Sequence, residues 1–154
     1  MTIQKPTLEV TIATKRDEAE LLSLIRAYHE FEKIVHDRSK VLEAIGPLLE
    51  RSDAGRVWMI RLDGKIIGYI ALCFGYSIEF HGRDGFVDEV YLLEEYRGQG
   101  IGKAALAIVK AEARELGVRA LHLEVSRGNK RAQRLYTALG FESREEFFLM
   151  TQKI

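Results

Sequence analysis

One short run, 97–103, constrains the fold of this chain more than any other feature of its sequence. It carries three glycines at alternate positions, Gly98, Gly100 and Gly102. Glycine adopts positive φ at little cost and lets a ligand come close to the backbone. Apolar residues precede the run and a helical pattern begins within it, so we predict a strand, a tight turn and a helix in that order.

The beginning of a helix beside several glycines is a favourable place for a phosphate group. The first N–H groups of a helix lack partners inside it, and the positive end of the helix dipole lies there. Both features favour an anionic ligand. The alternative is an ordinary strand-to-helix turn, for which one glycine would be enough. We therefore predict that residues 97–103 bind a phosphate-bearing molecule.

Two widespread phosphate-binding motifs do not match this run. A dinucleotide fingerprint, G-x-G-x-x-G, counted from Gly98 would have Lys103 at its last position. A P-loop requires Ser or Thr after Gly-Lys, but Ala104 stands there, and Arg97 takes the place of the first glycine. The pattern that remains is Arg97-x-x-Gly100-x-Gly102.

The composition indicates a soluble globular protein and excludes several kinds of partner. Among 154 residues, 47% are hydrophobic, and 23 basic side chains balance 23 acidic ones. No net field therefore favours nucleic acid or an anionic membrane. The single cysteine cannot form an internal disulfide, and the four histidines show no metal-ligand spacing. We expect one domain over residues 1–154, a cytoplasmic location, and no metal.

Hydrophobic periodicity and turn signals predict the element order βααβββαβαβ. Thr14 and Asp17 have the spacing of a capping box, Asp63-Gly64 is typical of a two-residue hairpin, and Gly117 and Gly140 each follow a helical pattern. This order implies a mixed α/β sheet with helices on both faces. The predicted strands are 10–13, 58–62, 65–74, 86–93, 118–125 and 147–150, with a loop at 75–85; the predicted helices are 14–31, 39–51 with an interruption at Gly46-Pro47, 101–116 and 130–139.

The pattern Arg97-x-x-Gly100-x-Gly102 resembles the acetyl-CoA signature of the GNAT superfamily of acyl-CoA N-acyltransferases. The preceding strand, 90–92, looks like the strand that lines pantetheine in this family. Residues 129–141 are similar to the family's second signature, and the element order matches over nearly the whole chain. The resemblance implies a GNAT-like fold, with a central, mostly antiparallel sheet and helices on both faces.

The same resemblance implies that acetyl-CoA is the acyl donor and that it lies between the strand at Val90 and the strand at Leu121. Backbone N–H groups of the glycine run would hold the pyrophosphate. Backbone groups near Leu92 would hold the thioester carbonyl as it gains negative charge. The cofactor-binding residues carried over are Val90, Leu92, Arg97, Gly98, Gln99, Gly100, Ile101, Gly102, Lys103, Asn129, Leu135 and Tyr136.

Three catalytic residues follow from the resemblance, each with a plainer alternative. Tyr136 would protonate the departing thiolate, since a phenol with a pKa near ~10 is protonated at neutral pH; otherwise it is a core aromatic. Asp88 or Glu89 would accept the proton of the attacking amine; otherwise the two form a solvated or salt-bridged pair. Because successive strand residues face opposite sides, we expect only one of these two to face the site. Asn129 is also a favoured helix N-cap.

The acceptor is less constrained than the donor. The stretches around Tyr28, Tyr76 and Asp88 resemble the diamine (polyamine) N-acetyltransferase branch, in which Glu32, Tyr76 and Glu89 would contact a small amine substrate. A protein N-terminus or a protein lysine is an alternative acceptor. A CoA-binding sensor without catalysis is an alternative of another class. The sequence leaves monomer and homodimer open.

Overall fold

The computed structural model describes residues 5–154, which divide into two compact units that meet between Glu124 and Val125 in the chain. Each unit is described by itself, and the expectation of a single domain stays a prediction. The elements of the first unit are β1 (Leu8–Ile12), α1 (Glu18–Glu32), α2 (Arg38–Leu49), β2 (Gly55–Leu62), β3 (Lys65–Ser77), β4 (Gly82–Leu92), α3 (Ile101–Glu115) and β5 (Leu121–His122).

The first unit is built on one sheet in which the strands follow chain order, β1-β2-β3-β4-β5. The first three pairings are antiparallel and the pairing of β4 with β5 is parallel. Asp63 and Gly64 join β2 to β3 with φ of 49° and 78°, so the two-residue hairpin is confirmed. The mixed, mostly antiparallel sheet is confirmed as well.

Helices cover both faces of this sheet because the strands alternate apolar side chains on either side. Val57 and Met59 pack with α1 and α2 in one core cluster. The intervening Trp58 lies on the opposite face, where its Nε1 donates a hydrogen bond to Glu112 of α3 at 2.5 Å. This arrangement brings the C-terminal half of β4 between α1 on one side and the beginning of α3 on the other.

The predicted capping box between Thr14 and Asp17 is present, but it caps a 3-10 turn (Lys15–Asp17), and α1 begins after that turn with Asp17 as its N-cap. The predicted interruption of α2 at Gly46-Pro47 is wrong, because the helix continues to Leu49. Proline removes one backbone donor but leaves the following turn intact, and the N–H of Glu50 still bonds to Gly46 O at 3.1 Å. Burial of Ile45 and Leu49 favours the continued helix.

Three predicted strand limits also differ from the structure. The predicted loop 75–85 shortens to four residues, because 75–77 pair with 82–84 despite their polar composition. The predicted strand 118–125 reduces to Leu121–His122, since only these two residues pair with β4. The predicted strand 147–150 is absent from the described chain; its side chains are exposed, and an apolar run without a pairing partner does not form a strand.

The second unit contains one helix, α4 (Lys130–Ala138). The side chain of Asn129 caps its beginning by accepting a hydrogen bond from the N–H of Ala132 at 3.1 Å. Gly140 follows its end with φ of 92°. The predicted cap at Asn129 and the glycine stop at Gly140 are therefore both confirmed.

Candidate active site

The glycine run forms the predicted turn into α3. Gly98 and Gly100 have φ of 75° and 80°, and Gly100 is the N-cap of the helix. The first intrahelical bond runs from the N–H of Ala104 to Gly100 O at 3.1 Å, so the N–H groups of residues 101–103 precede the hydrogen-bonded ladder. Gly98, Gln99 and Gly100 are exposed. Exposed glycines and helix N–H groups together form a cradle suited to a phosphate.

Arg97 has a structural role within this turn. Its Nε donates a hydrogen bond to Leu92 O at 2.8 Å. Its guanidinium lies 4.6 Å from the ring centroid of Phe31 and 5.3 Å from that of Tyr91. The side chain therefore ties the turn to the end of β4 and to the last turn of α1. The cofactor-binding role of Arg97 stays a prediction.

In the described chain, β4 pairs with β5 only near the middle of β4. The register between β4 and β5 consists of Gly85 with Leu121 and Phe86 with His122, while β4 continues to Leu92. Beyond Phe86 the two strands no longer pair in the described chain, so the register with β5 ends before Val90. The predicted position of acetyl-CoA between the strands at Val90 and Leu121 stays a prediction.

A β-bulge lies in the middle of β4 at the two predicted carboxylates. Glu89 pairs with Ala71 of β3, and Val87 pairs with the adjacent Leu72, so Asp88 is an extra residue. The expectation that only one carboxylate faces the site relied on strict alternation, which the bulge removes. Burial, and then the charges of Asp88 and Glu89, raise the pKa of Tyr69 and that of Cys73, so both carboxyls lie close enough to act on these two residues of β3.

Glu89 is held by two donors on the α1 side of the sheet. Tyr69 Oη donates a hydrogen bond to Glu89 Oε2 at 2.7 Å, and His29 Nε2 lies 3.2 Å from Glu89 Oε1. Burial, and then the charge of Glu89, raise the pKa of Tyr69 far above its ordinary value, so the phenol stays protonated and donates. The side chain of Glu89 is 18% exposed, and its ion-pair partner in the described structure is His29, whose ring is charged only when protonated.

Asp88 differs from its neighbour. The residue as a whole is exposed, yet groups around its carboxyl partly withdraw it from water. Burial, and then the charges of Glu89 and Glu124, raise the pKa of Asp88, while His29 opposes that shift. A carboxylate with a raised pKa and an exposed position is better suited to accept a proton than one already held by two donors.

His29 and His36 belong to this site, and sequence reasoning missed them. His29 is 8% exposed, and its Nδ1 lies 3.0 Å from His36 Nδ1. One signal was present in the sequence: His29 lies four residues after Ile25, on the apolar stripe of α1. A polar side chain at a buried helix position requires partners, and Glu89 and His36 are those partners.

The two other predicted substrate residues, Glu32 and Tyr76, are not part of the bulge. Glu32 is exposed in the last turn of α1, three residues after His29. Tyr76 is 83% exposed and pairs with Arg83 in the register of β3 with β4. It lies five residues along β3 from Ala71, which is about 17 Å at the rise of a strand. The structure does not bring Tyr76 and Glu89 together, and the substrate role of Tyr76 stays a prediction.

Asn129, Leu135 and Tyr136 lie in the second unit. Leu135 and Tyr136 are half-buried on α4, and the Tyr136 ring packs edge-on against Phe141 with the centroids 5.8 Å apart. No residue of α4 is fully buried, so a fully enclosed core position for Tyr136 is not observed. The predicted contacts of these three residues with acetyl-CoA stay predictions.

Residues 5–154 contain neither a candidate metal site nor a candidate membrane span. No group of three or more His, Cys, Asp or Glu side chains there has an arrangement able to hold a metal ion. None of the helices in this range combines the length and the apolar character needed to cross a membrane.

Comparison with known proteins decides the family. The family model described as acetyltransferase (GNAT) family matches residues 19–141, which is most of the chain. The chain belongs to the GNAT acetyltransferase family. The match includes β4, the glycine run and α4, so the cradle and the carboxylate bulge lie on the fold that this family shares.

Individual relatives support the family assignment. The chain is 40% identical over 81 residues to the thialysine N-epsilon-acetyltransferase of Bos taurus, which covers 53% of this chain and 47% of that protein. It is 30% identical over 146 residues to the enzyme of the same name from Mus musculus, covering 87% and 84%. The chain spans about half to three fifths of the length of three of the curated relatives it matches.

One solved structure is similar over almost the full length of this GNAT protein. It is an integron cassette protein from the mobile metagenome of Cole Harbour Salt Marsh, with a TM-score of 0.83 and 32% identity. The match covers 94% of this chain and 90% of that one.

Proposed function

We propose that this GNAT protein transfers an acetyl group from acetyl-CoA to a primary amine of a small polycationic molecule, by direct attack of the amine on the thioester. The observation that carries the proposal is the position of the bulge. Asp88 and Glu89 lie on β4 a few residues before its end at Leu92, and the glycine cradle follows directly. An acyl donor on the cradle and β4 would thus end beside two carboxylates.

The donor side rests on the backbone. The cradle offers N–H groups of residues 101–103 and the positive end of the α3 dipole to a pyrophosphate. Gly102 lies in the first turn of α3, and a Cβ there would contact Leu92 Cδ1 at 3.4 Å, which places the beginning of the helix beside the end of β4. The open edge of β4 near Val90 would pair with the amide groups of pantetheine as a neighbouring strand would.

Asp88 is the group we assign as proton acceptor. An alkylamine with a pKa near ~10.4 is mostly protonated at pH 7, and removing its proton costs about 4.6 kcal/mol. The raised pKa of Asp88 brings it closer to the pKa of the amine than an ordinary aspartate. The carboxyl is also the more exposed of the two, so an amine or a bridging water has access to it.

Glu89 is the group we assign to cation binding, together with Glu32. Its two donors, Tyr69 and His29, fix the carboxylate in one position. A fixed negative charge attracts a second ammonium group of the acceptor without itself taking its proton. The mammalian relatives carry a name that states acetylation of the ε-amine of thialysine, which supports a free primary amine as acceptor.

Tyr136 completes the proposed mechanism. A phenol with a pKa near ~10 is protonated at neutral pH, whereas the departing thiolate belongs to a thiol with a pKa near ~8.5. Tyr136 therefore acts as general acid toward the sulfur as the thioester breaks. Asp88 takes one proton from the ammonium, the amine nitrogen bonds to the acetyl carbon as the C–S bond breaks, and the thiolate takes the Tyr136 proton and leaves as free CoA. The second proton that the nitrogen loses on becoming an amide returns to Tyr136 through solvent, and Asp88 releases its proton to solvent.

An amine panel tests the proposed function. The protein is incubated with acetyl-CoA and, separately, with diamines, polyamines, monoamines, lysine, thialysine and a short peptide with a free N-terminus. Free thiol and product mass are followed together. We expect thiol release and a mass increase of one acetyl group with the small polycations. Thiol release with none of these amines would overturn the proposal.

A further inference from the structure

The contact between His29 and His36 restricts where hydrogens can lie. Both ring nitrogens of His29 are engaged, Nε2 with Glu89 Oε1 at 3.2 Å and Nδ1 with His36 Nδ1 at 3.0 Å. A carboxylate only accepts, so His29 Nε2 carries a hydrogen and donates it to Glu89. In neutral His29 the Nδ1 is then an acceptor, and His36 must donate to it through its own Nδ1 hydrogen.

The same contact admits one added proton and resists a second. With one added proton, a single hydrogen still lies between the two Nδ1 atoms, and the hydrogen bond becomes charge-assisted. With two, both Nδ1 atoms carry hydrogens and the bond is lost. The hydrogen bond between the two rings is therefore kept when the pair carries no charge or one positive charge, and is lost when it carries two. The positive charge is favoured on His29, since the carboxylate of Glu89 adjoins that ring.

Two carboxyls and several uncharged side chains surround His29 in the described structure. From β4, Asp88 and Glu89 face it, and Tyr69 of β3 reaches it through Glu89. From α1 itself, the Tyr28 ring centroid lies 6.0 Å away. Helix α2 contributes apolar residues, Ile45 and Leu49, to the cluster that includes α1. A proton taken up by the histidine pair therefore adds one positive charge beside the two carboxylates.

We propose that His29 and His36 act as one unit that sets the preference of the acceptor site for a second ammonium group. This inference rests on the proposed function of Glu89 as a cation-binding residue. When the pair is neutral, Glu89 presents its full negative charge to the acceptor. When the pair takes up a proton, His29 neutralises Glu89 and the advantage of a diamine over a monoamine falls. His29 acts directly on Glu89, and His36 is a positioning residue that acts through His29.

The test measures binding, which does not depend on turnover. Equilibrium affinities of an α,ω-diamine and of the alkyl monoamine of equal chain length are measured between pH 5 and pH 8, where histidine charge changes. Both ligands carry one amine that ionises in the same way, so the effect of its ionisation on binding cancels in the ratio of the two affinities. We expect the ratio in the wild-type protein to fall by about threefold or more as pH decreases, from the loss of one nearby charge.

Three variants separate this role from a structural one. His29→Gln keeps an N–H for Glu89 and does not ionise, so its ratio should be constant over this pH range. His36→Ala removes the ring that shares the added proton with His29. In this variant the ratio of diamine to monoamine affinity should therefore fall at a lower pH than in the wild-type protein. His81→Asn, a control on the exposed turn between β3 and β4 where φ is 62°, should keep the wild-type profile. Structural damage alone would lower both affinities at every pH.

A second measurement uses only the wild-type protein. In an NMR pH titration, the ring signals of His29 and His36 should move together through a common midpoint. Independent titration of the two rings overturns the inference. So does a wild-type ratio that does not change with pH, or a His29→Gln ratio that changes as the wild-type ratio does. Absence of amine acetylation, with the binding results as expected, would overturn the proposed function alone.

Discussion

Asp88 immediately precedes Glu89 on β4 and is the residue of 82–92 without a partner in the register with β3, while Glu89 pairs with Ala71. The bulge therefore gives two adjacent carboxylates different surroundings. Asp88 is exposed with a raised pKa, and Glu89 is held by Tyr69 and His29. Because of this difference we assign proton transfer to Asp88 and cation binding to Glu89.

The first prediction separates these two roles kinetically. Asp88→Asn should lower kcat by about a hundredfold or more, the contribution of a general base, with a small change in the KM of a diamine. Glu89→Gln should mainly raise that KM. Steady-state kinetics at saturating acetyl-CoA provide both parameters. The assignment is wrong if Glu89→Gln loses kcat while Asp88→Asn loses only affinity.

The raised pKa of Asp88 also predicts an effect on stability. Below the unfolded-state pKa near ~3.9 the carboxyl is protonated in both states and contributes nothing. Above it the unfolded chain ionises more readily than the folded one, so ionisation destabilises the fold as pH rises through the folded-state pKa. Asp88→Asn should therefore raise the free energy of unfolding at pH 7 by less than about 1 kcal/mol, because the residue is exposed.

Urea unfolding at pH 7 and at pH 3 measures this effect. The gain of Asp88→Asn over the wild-type protein should be present at pH 7 and absent at pH 3. An equal gain at both pH values would mean that the carboxyl charge is not its cause.

Cys73 reports on the electrostatics of the same face of the sheet. Burial, and then Asp88 and Glu89, raise the pKa of its thiol from 9.0 to about 11. Two units correspond to about a hundredfold less thiolate at neutral pH, so a thiol-specific reagent should label folded Cys73 about a hundredfold more slowly than the urea-unfolded chain. Asp88→Asn and Glu89→Gln should each accelerate labelling of the folded protein. Rates that stay the same in both variants would show that the carboxylates do not act on this thiol.

The cradle could be predicted from the sequence because the residues that indicate it are neighbours in the chain. Glycines at alternate positions before a helical pattern describe the turn at 98–100 without any distant contact. Sequence reasoning missed the bulge because register is a property of two strands, and nothing near Asp88 shows that β3 lacks a residue to pair with it. It missed the His29–His36 contact because the loop that returns His36 to α1 has no periodic pattern.

Gly102→Glu tests the cradle. The Cβ would meet only Leu92 Cδ1, at 3.4 Å, so the fold should tolerate the change, but it would add a carboxylate to the first turn of α3, where that charge repels a phosphate. CoA binding by calorimetry should be lost. The matched control is Ala107→Glu, which adds the same charge to an exposed position of the same helix and should bind CoA as the wild-type protein does. Equal binding by the two variants would contradict the cradle.

Tyr136→Phe tests the general acid. The ring and its edge-on packing on Phe141 are retained, while the donor hydroxyl is removed. We expect kcat to fall by about a hundredfold with little change in acetyl-CoA affinity. Replacing the thioester by an acyl donor with a more acidic leaving group should restore much of the rate, since such a group leaves without protonation. An unchanged kcat would remove Tyr136 from the mechanism.

A comparison of kcat/KM for a diamine and for the monoamine of equal length, at pH 8 with saturating acetyl-CoA and mass detection of the product, tests acetyl transfer and cation binding together. We expect a singly acetylated diamine, formed at least about tenfold more efficiently than the acetylated monoamine because Glu89 and Glu32 bind the second ammonium. Equal efficiencies would contradict the cation-binding role, and no acetylated product from either amine would contradict the proposed function.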